Sequence, residues 1–344
     1  MTVPPASEMS PEARRWVPVL ARYREPSDRR SLLEIAVTLA AFALLWALGW
    51  WAMSVSAWLA AAIAVLNGFF LVRLFVIQHD CGHGSLFRNK TLGDWVGRAL
   101  GVLTVTPYDV WRRIHAIHHG VAGNLDRRGV GEVFTLTAAE YRARSPLGRL
   151  RYRVYRHPLV LFGIGPAWVF LVENRLPLGL MRAGPRYWIS AMGTNLGVVL
   201  ALGVLYAAGG LAPILLLFLP TTLSAATIGV WLFYVQHQFE ETHYDPEPHW
   251  DLHEAALHGS SHYDLPVVFH WLTANIGLHH VHHLNSRIPF YRLPAVLRDH
   301  PELESPGHKL TFLESLHCVR LKLWDEERRR LVTLREAFAP PAAA

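Results

Sequence analysis

The sequence predicts an all-α integral membrane protein with four transmembrane helices, arranged as two hairpins, and a helical cap on one side of the bilayer. Hydrophobic residues make up 51% of the 344 residues and charged residues only 17%, whereas ordinary soluble domains have about 25% charged residues. Two long stretches, residues 35–72 and 187–239, contain no Asp, Glu, Lys or Arg. Each is long enough for two crossings, which need about 20 residues apiece.

Each uncharged stretch divides into two spans at a plausible turn. The first gives spans at about residues 35–52 and 57–78, joined by Met-Ser-Val-Ser, and the second gives spans at about 188–208 and 211–237, divided at Gly209 and Gly210. The second span delivers His79 at its end, and the fourth carries His237 near its end. Histidines from distant parts of the chain are therefore expected at one membrane surface.

A third apolar stretch, residues 158–172, is predicted not to cross the membrane. It has 15 residues, and arginines flank it on both sides. A stretch of that length is typical of interfacial, re-entrant or buried segments, and positive flanks favour the cytoplasmic side. We therefore expect a protein of the cytoplasmic (inner) membrane with both termini and the cap in the cytoplasm.

The remaining residues complete one membrane domain, residues 31–338, with an N-terminal cytoplasmic arm at 1–30. The cap is expected to comprise residues 79–187 and 238–338, and the tail 339–344 is predicted to be disordered. Apolar spacing within residues 310–337 predicts an amphipathic helix packed on the cap. The net charge of +6 comes mostly from arginines beside the apolar stretches, which favours contact with a membrane over nucleic acid.

Histidine is the unusual component, with 20 residues, nine of them in three clusters. The first cluster has the pattern HxxxH and the other two contain HxxHH, which place the following residues: His79 and His83; His115, His118 and His119; His279, His282 and His283. Residues i, i+3 and i+4 share one face of a helix, so we expect each HxxHH to direct three imidazoles at one locus. Chance alone gives about 0.07 HxxHH matches in such a chain, so a metal site is predicted.

Two iron ions are the predicted occupants. Eight clustered histidines exceed the four ligands of one zinc ion, and the Glu and Glu-x-x-His pattern of carboxylate-bridged di-iron bundles is not found. His237 is the predicted ninth ligand, with His243, His258 and His262 as weaker candidates. His280 is the alternative to His279, although it fits the helical face less well.

These residues resemble the membrane fatty acid desaturase superfamily, in particular its bacterial acyl-lipid branch. The resemblance runs from about Leu71 into the C-terminal part of the cap. The matching segments are His79-Asp-Cys-Gly-His-Gly-Ser, Trp111-Arg-Arg-Ile-His-Ala-Ile-His-His, Tyr234-Val-Gln-His-Gln-Phe-Glu and Gly277-Leu-His-His-Val-His-His-Leu-Asn-Ser-Arg-Ile-Pro.

The resemblance implies four spans, a cytoplasmic cap with two irons, and introduction of a cis double bond into an acyl chain with O₂ and two external electrons. The family's nine histidine ligands carry over to the eight clustered histidines and His237. Animal acyl-CoA desaturases have HxxxxH in the first cluster and Asn four residues before the span-4 histidine. Here the first cluster is HxxxH and that position is Phe233, which favours a lipid-linked substrate over an acyl-CoA.

Other side chains are expected to support the centre. The second ring nitrogen of a ligating histidine usually pairs with a carboxylate or carbonyl, for which Asp80, Asp126, Glu240 and Glu241 are candidates. A narrow apolar channel should position the acyl chain, and its candidate lining residues are Trp111, Trp231, Phe239 and Trp271. The electron donor is expected to be a separate protein such as a ferredoxin or rubredoxin, steered by the basic surface.

Two alternatives stay open at this stage. A membrane hydroxylase of alkanes, carotenoids or acyl chains would use the same ligands. A membrane metal transporter would need ionisable residues inside its spans, which the uncharged stretches lack. Acyl chain length, double-bond position and the acyl carrier have no signature in the sequence.

Overall fold

The structure is a computed structural model that describes residues 11–304 and 309–338. Within them, four helices are long and apolar enough to cross a membrane, as predicted. In chain order the helices are α1 (Pro11–Ala21), α2 (Asp28–Ala52), α3 (Ala57–His83), α4 (Lys90–Leu103), α5 (Tyr108–Val121), α6 (Ala138–Ala143), α7 (Pro146–Tyr155), α8 (Gly165–Leu171), α9 (Pro185–Gly209), α10 (Leu219–His237), α11 (Leu252–His258), α12 (Val267–Leu272), α13 (His279–Leu284), α14 (Leu293–Asp299) and α15 (Phe312–Cys318).

The spans are α2, α3, α9 and the helical segment Ile214–His237, in which a π-helical turn, Ile214–Phe218, leads into α10. The side chains of Ser27 and Ser56 accept hydrogen bonds from backbone N–H groups in the first turns of α2 and α3, which satisfies donors that a helix leaves unpaired. Small side chains let α3 and α10 approach closely, since a Cβ at Gly68 would lie 2.1 Å from the Ser224 Oγ. Such contacts are typical of helices packed within a bilayer.

The short apolar segment Val160–Arg175 is bent by 52° from α7. By length and composition alone the bent pair could count as a fifth span. One further crossing would put α5 and the end of α10 on opposite sides of the membrane. The Nε2 atoms of His118 in α5 and His237 in α10 lie 3.2 Å apart, so the pair does not cross, in agreement with the prediction.

The cap is mainly helical but also contains two small sheets. The strands are β1 (Leu136–Thr137), β2 (His262–Asp264), β3 (Lys309–Thr311), β4 (Leu321–Asp325) and β5 (Arg330–Thr333). β4 lies between β1, which is parallel to it, and β5, which is antiparallel, whereas β2 and β3 form a parallel pair. The single amphipathic helix predicted for residues 310–337 is therefore wrong, because α15 is the only α-helix in this segment, and β3, β4 and β5 occupy much of the remainder.

The predicted N-terminal arm is described only from residue 11 onwards. Trp16 in α1 is buried and its ring lies 5.6 Å from the imidazole of His300. The Tyr23 hydroxyl donates to Asp299 at the end of α14 (2.8 Å). These contacts attach the arm to the cap, whereas residues 1–10 and the predicted tail 339–344 lie outside the described residues.

Candidate metal centre and cavity

Four elements bring the clustered histidines to one place. α3 ends at His83 because Gly84 adopts a left-handed conformation (φ 66°), which is the usual glycine stop signal of a helix. α10 ends at His237, and α5 and α13 carry the two HxxHH motifs. The two span ends and two cap helices therefore share one surface.

The donor nitrogens form two adjacent groups, here called the five-histidine and four-histidine groups. Within each group, one ligand atom from every residue lies within 4.8 Å of the others. The five-histidine group consists of His79, His83, His115, His119 and His282, and the four-histidine group consists of His118, His237, His279 and His283. The His119 and His283 rings stack at 4.1 Å between centroids, so the two groups form one continuous centre.

Neither HxxHH motif directs all its imidazoles at one locus, contrary to the expectation. In α5, His115 and His119 join the five-histidine group and His118 joins the other. In α13, His279 and His283 join the four-histidine group and His282 joins the other. At 3.6 residues per turn, positions i+3 and i+4 lie about 100° apart on either side of position i, so one motif serves two loci.

The cap imidazoles are held in the neutral form. Burial, with the neighbouring imidazoles, lowers the pKa well below the ordinary histidine value in six rings: His115, His118, His119, His279, His282 and His283. A neutral ring keeps the lone pair that metal binding requires. The electrostatics of the site therefore favour a bound cation.

The donor spacing fits metal ions. Nearest Nε2 atoms lie 3.0–3.3 Å apart in the five-histidine group and 3.0–3.2 Å apart in the four-histidine group. Two nitrogens about 2.1 Å from a common ion lie about 3.0–3.4 Å from each other. In addition, the buried Nε2 of His283 has no hydrogen-bond partner among the described residues, and such an orphaned atom calls for an explanation such as an ion.

A cavity of about 270 Å³ leads from between the spans to both groups. Its volume lies near the lower limit of ligand pockets, about 300 Å³. It reaches His79 and His115 of one group and His279 of the other. The principal lining residues are Leu71, Val72, Phe75, Val76, Trp111, Ile114, Val169, Phe170, Thr222, Ala225, Ala226, Gly229, Val230 and Phe233.

Comparison with known proteins identifies the family. The sequence model described as "Fatty acid desaturase" matches residues 56–315. The chain belongs to the fatty acid desaturase family. It is an O₂-dependent oxidoreductase, and this family match favours desaturation over the hydroxylase and transporter alternatives.

Several curated desaturases resemble this chain. A fatty acid desaturase of Bacillus subtilis is 39% identical over 92% of this chain and 89% of its own length. An sn-1 oleoyl-lipid 12-desaturase of Synechocystis sp. is 26% identical over 67% of this chain and 64% of its own length. A ferredoxin-linked sn-1 acyl-lipid omega-3 desaturase of Synechocystis sp. is 37% identical, but over only 30% of this chain and 28% of its own length.

Of the four acidic residues expected to orient imidazoles, the structure places Asp80 at the site. Its buried carboxylate has Oδ1 3.1 Å from His79 Nδ1 and Oδ2 2.7 Å from the Phe290 amide, which donates to it. The other three are directed elsewhere: exposed Asp126 accepts from the Glu247 amide, Glu240 pairs with Arg330, and Glu241 is exposed. In the four-histidine group a backbone carbonyl replaces the carboxylate, since His237 Nδ1 lies 3.1 Å from Gly259 O.

Of the four aromatic residues predicted to line the channel, Trp111 lines the cavity. Its ring stacks on that of His115, with 4.6 Å between the ring centroids. The other three belong to packing. Trp231 donates to the Tyr263 hydroxyl (3.3 Å), Phe239 is fully buried in the core, and Trp271 packs against the Arg73 guanidinium at 4.2 Å.

Phe233 is a lining residue that the channel prediction missed. Its ring lies 5.0 Å from that of His118 and 5.3 Å from that of His237. The i, i+4 spacing between Phe233 and His237 was the available signal, because it places both side chains on one face of α10.

The weaker histidine candidates lie outside both groups. His243 Nε2 is 2.5 Å from Asp245 Oδ2, and His258 pairs with Glu254. His280 Nε2 is 3.0 Å from the carbonyl oxygen of Leu303, so His279 is the member of the third cluster that joins the centre. His262 belongs to a separate group with Asp264 and His270.

Proposed function

We propose that this desaturase introduces a cis double bond into a lipid-linked acyl chain, using O₂ and two external electrons at two irons held by the nine grouped histidines. The observation that carries the proposal is the apolar cavity between the spans, which reaches imidazoles of both groups. A membrane lipid could insert one acyl chain from the bilayer while its headgroup stays at the surface.

The nine imidazoles support two ions over one. Imidazole is a good ligand for iron, and the division into five and four donors matches two adjacent loci. Bound iron would supply O₂ activation and removal of hydrogen from an unactivated methylene, which amino-acid side chains cannot perform. Overall, two adjacent methylene carbons lose one hydrogen each, and O₂ combines with these two hydrogens, two external electrons and two protons to form two waters.

The chain's own residues bind and position the substrate. Leu71 and Phe75 lie one turn apart on the face of α3 that ends in His79, so an acyl chain on this face is directed towards the centre. The apolar lining excludes water, which limits unproductive use of the oxidant. Asp80 fixes the ring of His79, and the Trp111 ring covers that of His115.

Substrate class and electron donor follow from different observations. Relatives named as oleoyl-lipid desaturases support a lipid-linked acyl substrate. The donor is proposed to be a separate protein such as a ferredoxin or rubredoxin, and a relative named for ferredoxin supports this over a limited part of the chain. Arginines beside the apolar stretches support a cytoplasmic cap and termini in the inner membrane.

The test is mass spectrometry of lipids from a bacterial host that expresses wild-type protein, His118→Ala or His157→Ala. His157 is exposed and serves as the matched control. We expect a new unsaturated acyl species with the wild type and the control and none with His118→Ala. A hydroxylated product would instead support the hydroxylase alternative.

The acyl carrier is tested with purified protein in nanodiscs, an electron donor and O₂, supplied in parallel with phospholipid, acyl-CoA or acyl carrier protein. Product on phospholipid alone supports the proposal. Product on acyl-CoA or acyl carrier protein, with iron-loaded enzyme and none on phospholipid, would contradict the lipid-linked assignment while leaving the desaturase activity intact.

A further inference from the structure

A third cluster of metal-binding side chains lies apart from the nine histidines. His262 and Asp264 come from β2 and His270 from α12, and one ligand atom of each lies within 4.8 Å of the others. His262 is 4% exposed. Its Nδ1 is buried and makes no hydrogen bond with the described residues.

Donor atoms of the three side chains lie close to one another. His270 Nε2 accepts a hydrogen bond from the Leu265 amide (3.1 Å), so this nitrogen carries the lone pair, and a bound ion would take the place of the amide N–H as its partner. The same Nε2 lies 3.8 Å from Asp264 Oδ1, and His262 Nδ1 lies 3.9 Å from Glu304 Oε1. The Glu304 carboxylate therefore lies beside the three-residue group and would supply a fourth donor after a side-chain rotation.

Two imidazoles with carboxylates are a donor set that binds zinc and similar divalent ions. Zinc bonds to histidine and carboxylate ligands of about 2.0–2.2 Å place tetrahedral donors about 3.3–3.6 Å apart. The separations of 3.8 and 3.9 Å exceed that range by a few tenths of an ångström, and the donors of His262, Asp264 and His270 all lie within 4.8 Å of one another. Side-chain rotations that bring these donors closer together would complete a four-donor site.

Lys309 supplies the positive charge in the present arrangement. Its Nζ lies 3.2 Å from both Asp264 Oδ2 and Glu304 Oε1. The side chain is 39% exposed, and lysine is a flexible point charge, so a divalent ion could displace it into solvent. The two carboxylates thus form a cation-binding pair whose occupant can be exchanged.

We propose that His262, Asp264, His270 and Glu304 bind a divalent transition-metal ion of the zinc type, separate from the catalytic centre. The ion would fasten β2 and α12 beside the third histidine cluster. β2 is already tied to that cluster, because the Tyr263 amide donates to Gly277 O (2.8 Å) and His262 bridges to Leu278. His279 follows immediately, so the site stabilises the segment that presents it.

The test is zinc titration of the chelator-treated, full-length protein in detergent against a chromogenic competitor. Wild type is compared with His262→Gln/His270→Gln and with the control His157→Gln/His249→Gln, whose two histidines are exposed. We expect the first double variant to bind one zinc equivalent fewer than wild type and the control to match wild type. An unchanged number of equivalents would overturn the proposal.

A further double variant, His118→Ala/His283→Ala, distinguishes zinc bound at the main centre from zinc bound at the proposed site. That variant should lose zinc from the main centre and keep the equivalent that depends on His262 and His270. His262→Gln and His270→Gln are then added to this variant. If they remove no further zinc, the proposed site does not exist, whether or not the main centre binds zinc.

Lys309→Met keeps the test decisive if His262→Gln/His270→Gln fails to fold. Removing the competing ammonium should tighten the binding of one zinc equivalent by roughly tenfold, since about one unit charge is withdrawn at close range. A zinc titration indistinguishable from wild type would show that the four side chains form only an ion-pair cluster.

Discussion

The five-histidine and four-histidine groups share two helices but differ in how they are supplied and supported. Three rings of the five-histidine group are half-buried, whereas three of the four-histidine group are fully buried. A side-chain carboxylate, Asp80, orients His79, but a backbone carbonyl, Gly259 O, orients His237. The four-histidine group has one donor fewer than the five-histidine group. It should therefore lose its metal ion more readily when one ligand is removed.

The largest effect is expected for His237→Ala. His237 Nε2 lies 3.2 Å from His118 Nε2 and 3.0 Å from His279 Nε2, so it is the central donor of its group. Iron should fall from about two to about one per chain, and activity should fall by more than about 100-fold, since losing even a ligand's orienting partner costs about 10–100-fold. Elemental analysis and product formation check both values, and full iron content would contradict the assignment of His237 as a ligand.

His83→Ala is the matched change in the five-histidine group. Four donors remain, so we expect activity to fall by about 100-fold while more iron is retained than in His237→Ala. The same two measurements on both variants, purified side by side, provide the check. Equal loss of iron would break the comparison by showing that the two groups are equally sensitive.

Asp80→Asn should have a smaller effect, limited to the five-histidine group. An amide cannot satisfy both the His79 ring nitrogen and the Phe290 amide as the carboxylate does. Loss of such an orienting partner is expected to weaken iron retention by about 10-fold. The rate of iron release to a chelator measures this, with the otherwise similar change Asp126→Asn as a control that should behave as wild type.

Gly229→Leu is expected to leave both groups loaded. A Cβ at Gly229 would meet nothing within 4 Å, so the new side chain can occupy the cavity without displacing the spans. Iron content should match wild type, while preference should shift a few-fold towards shorter acyl chains because the cavity is smaller. Product analysis with acyl chains of graded length is the measurement, and an unchanged preference would exclude this part of the cavity as the acyl site.

The sequence predicted the spans and the clustering of the histidines because both depend on strong local patterns. Uncharged stretches of 38 and 53 residues are typical of membrane-spanning segments, which need about 20 residues for each crossing. His237 stood out because it follows one of these stretches. The structure places His237 beside His118. This arrangement requires an even number of membrane crossings between α5 and the end of α10.

The errors arose where contacts distant in sequence decide the outcome. In residues 310–337 the spacing of Leu313, Leu316, Val319 and Leu323 suggested one long helix, yet Leu321 and Leu323 are buried side chains of the strand β4. Pairing of β4 with Leu136–Thr137 of β1 has no local signature. For the same reason Glu240 was expected beside an imidazole, although its partner is Arg330 on β5.

The division of each HxxHH motif between the two groups has a consequence for assembly. α5 and α13 each contribute to both loci. The separation of the loci therefore depends on the rotation of about 100° between successive helical residues, and it does not depend on the length of a loop. An inserted or deleted residue within either motif would rotate every donor after it by about 100°. A shift of register in either motif should therefore disrupt both loci at once, whereas the loss of one ligand disrupts mainly the locus to which it belongs.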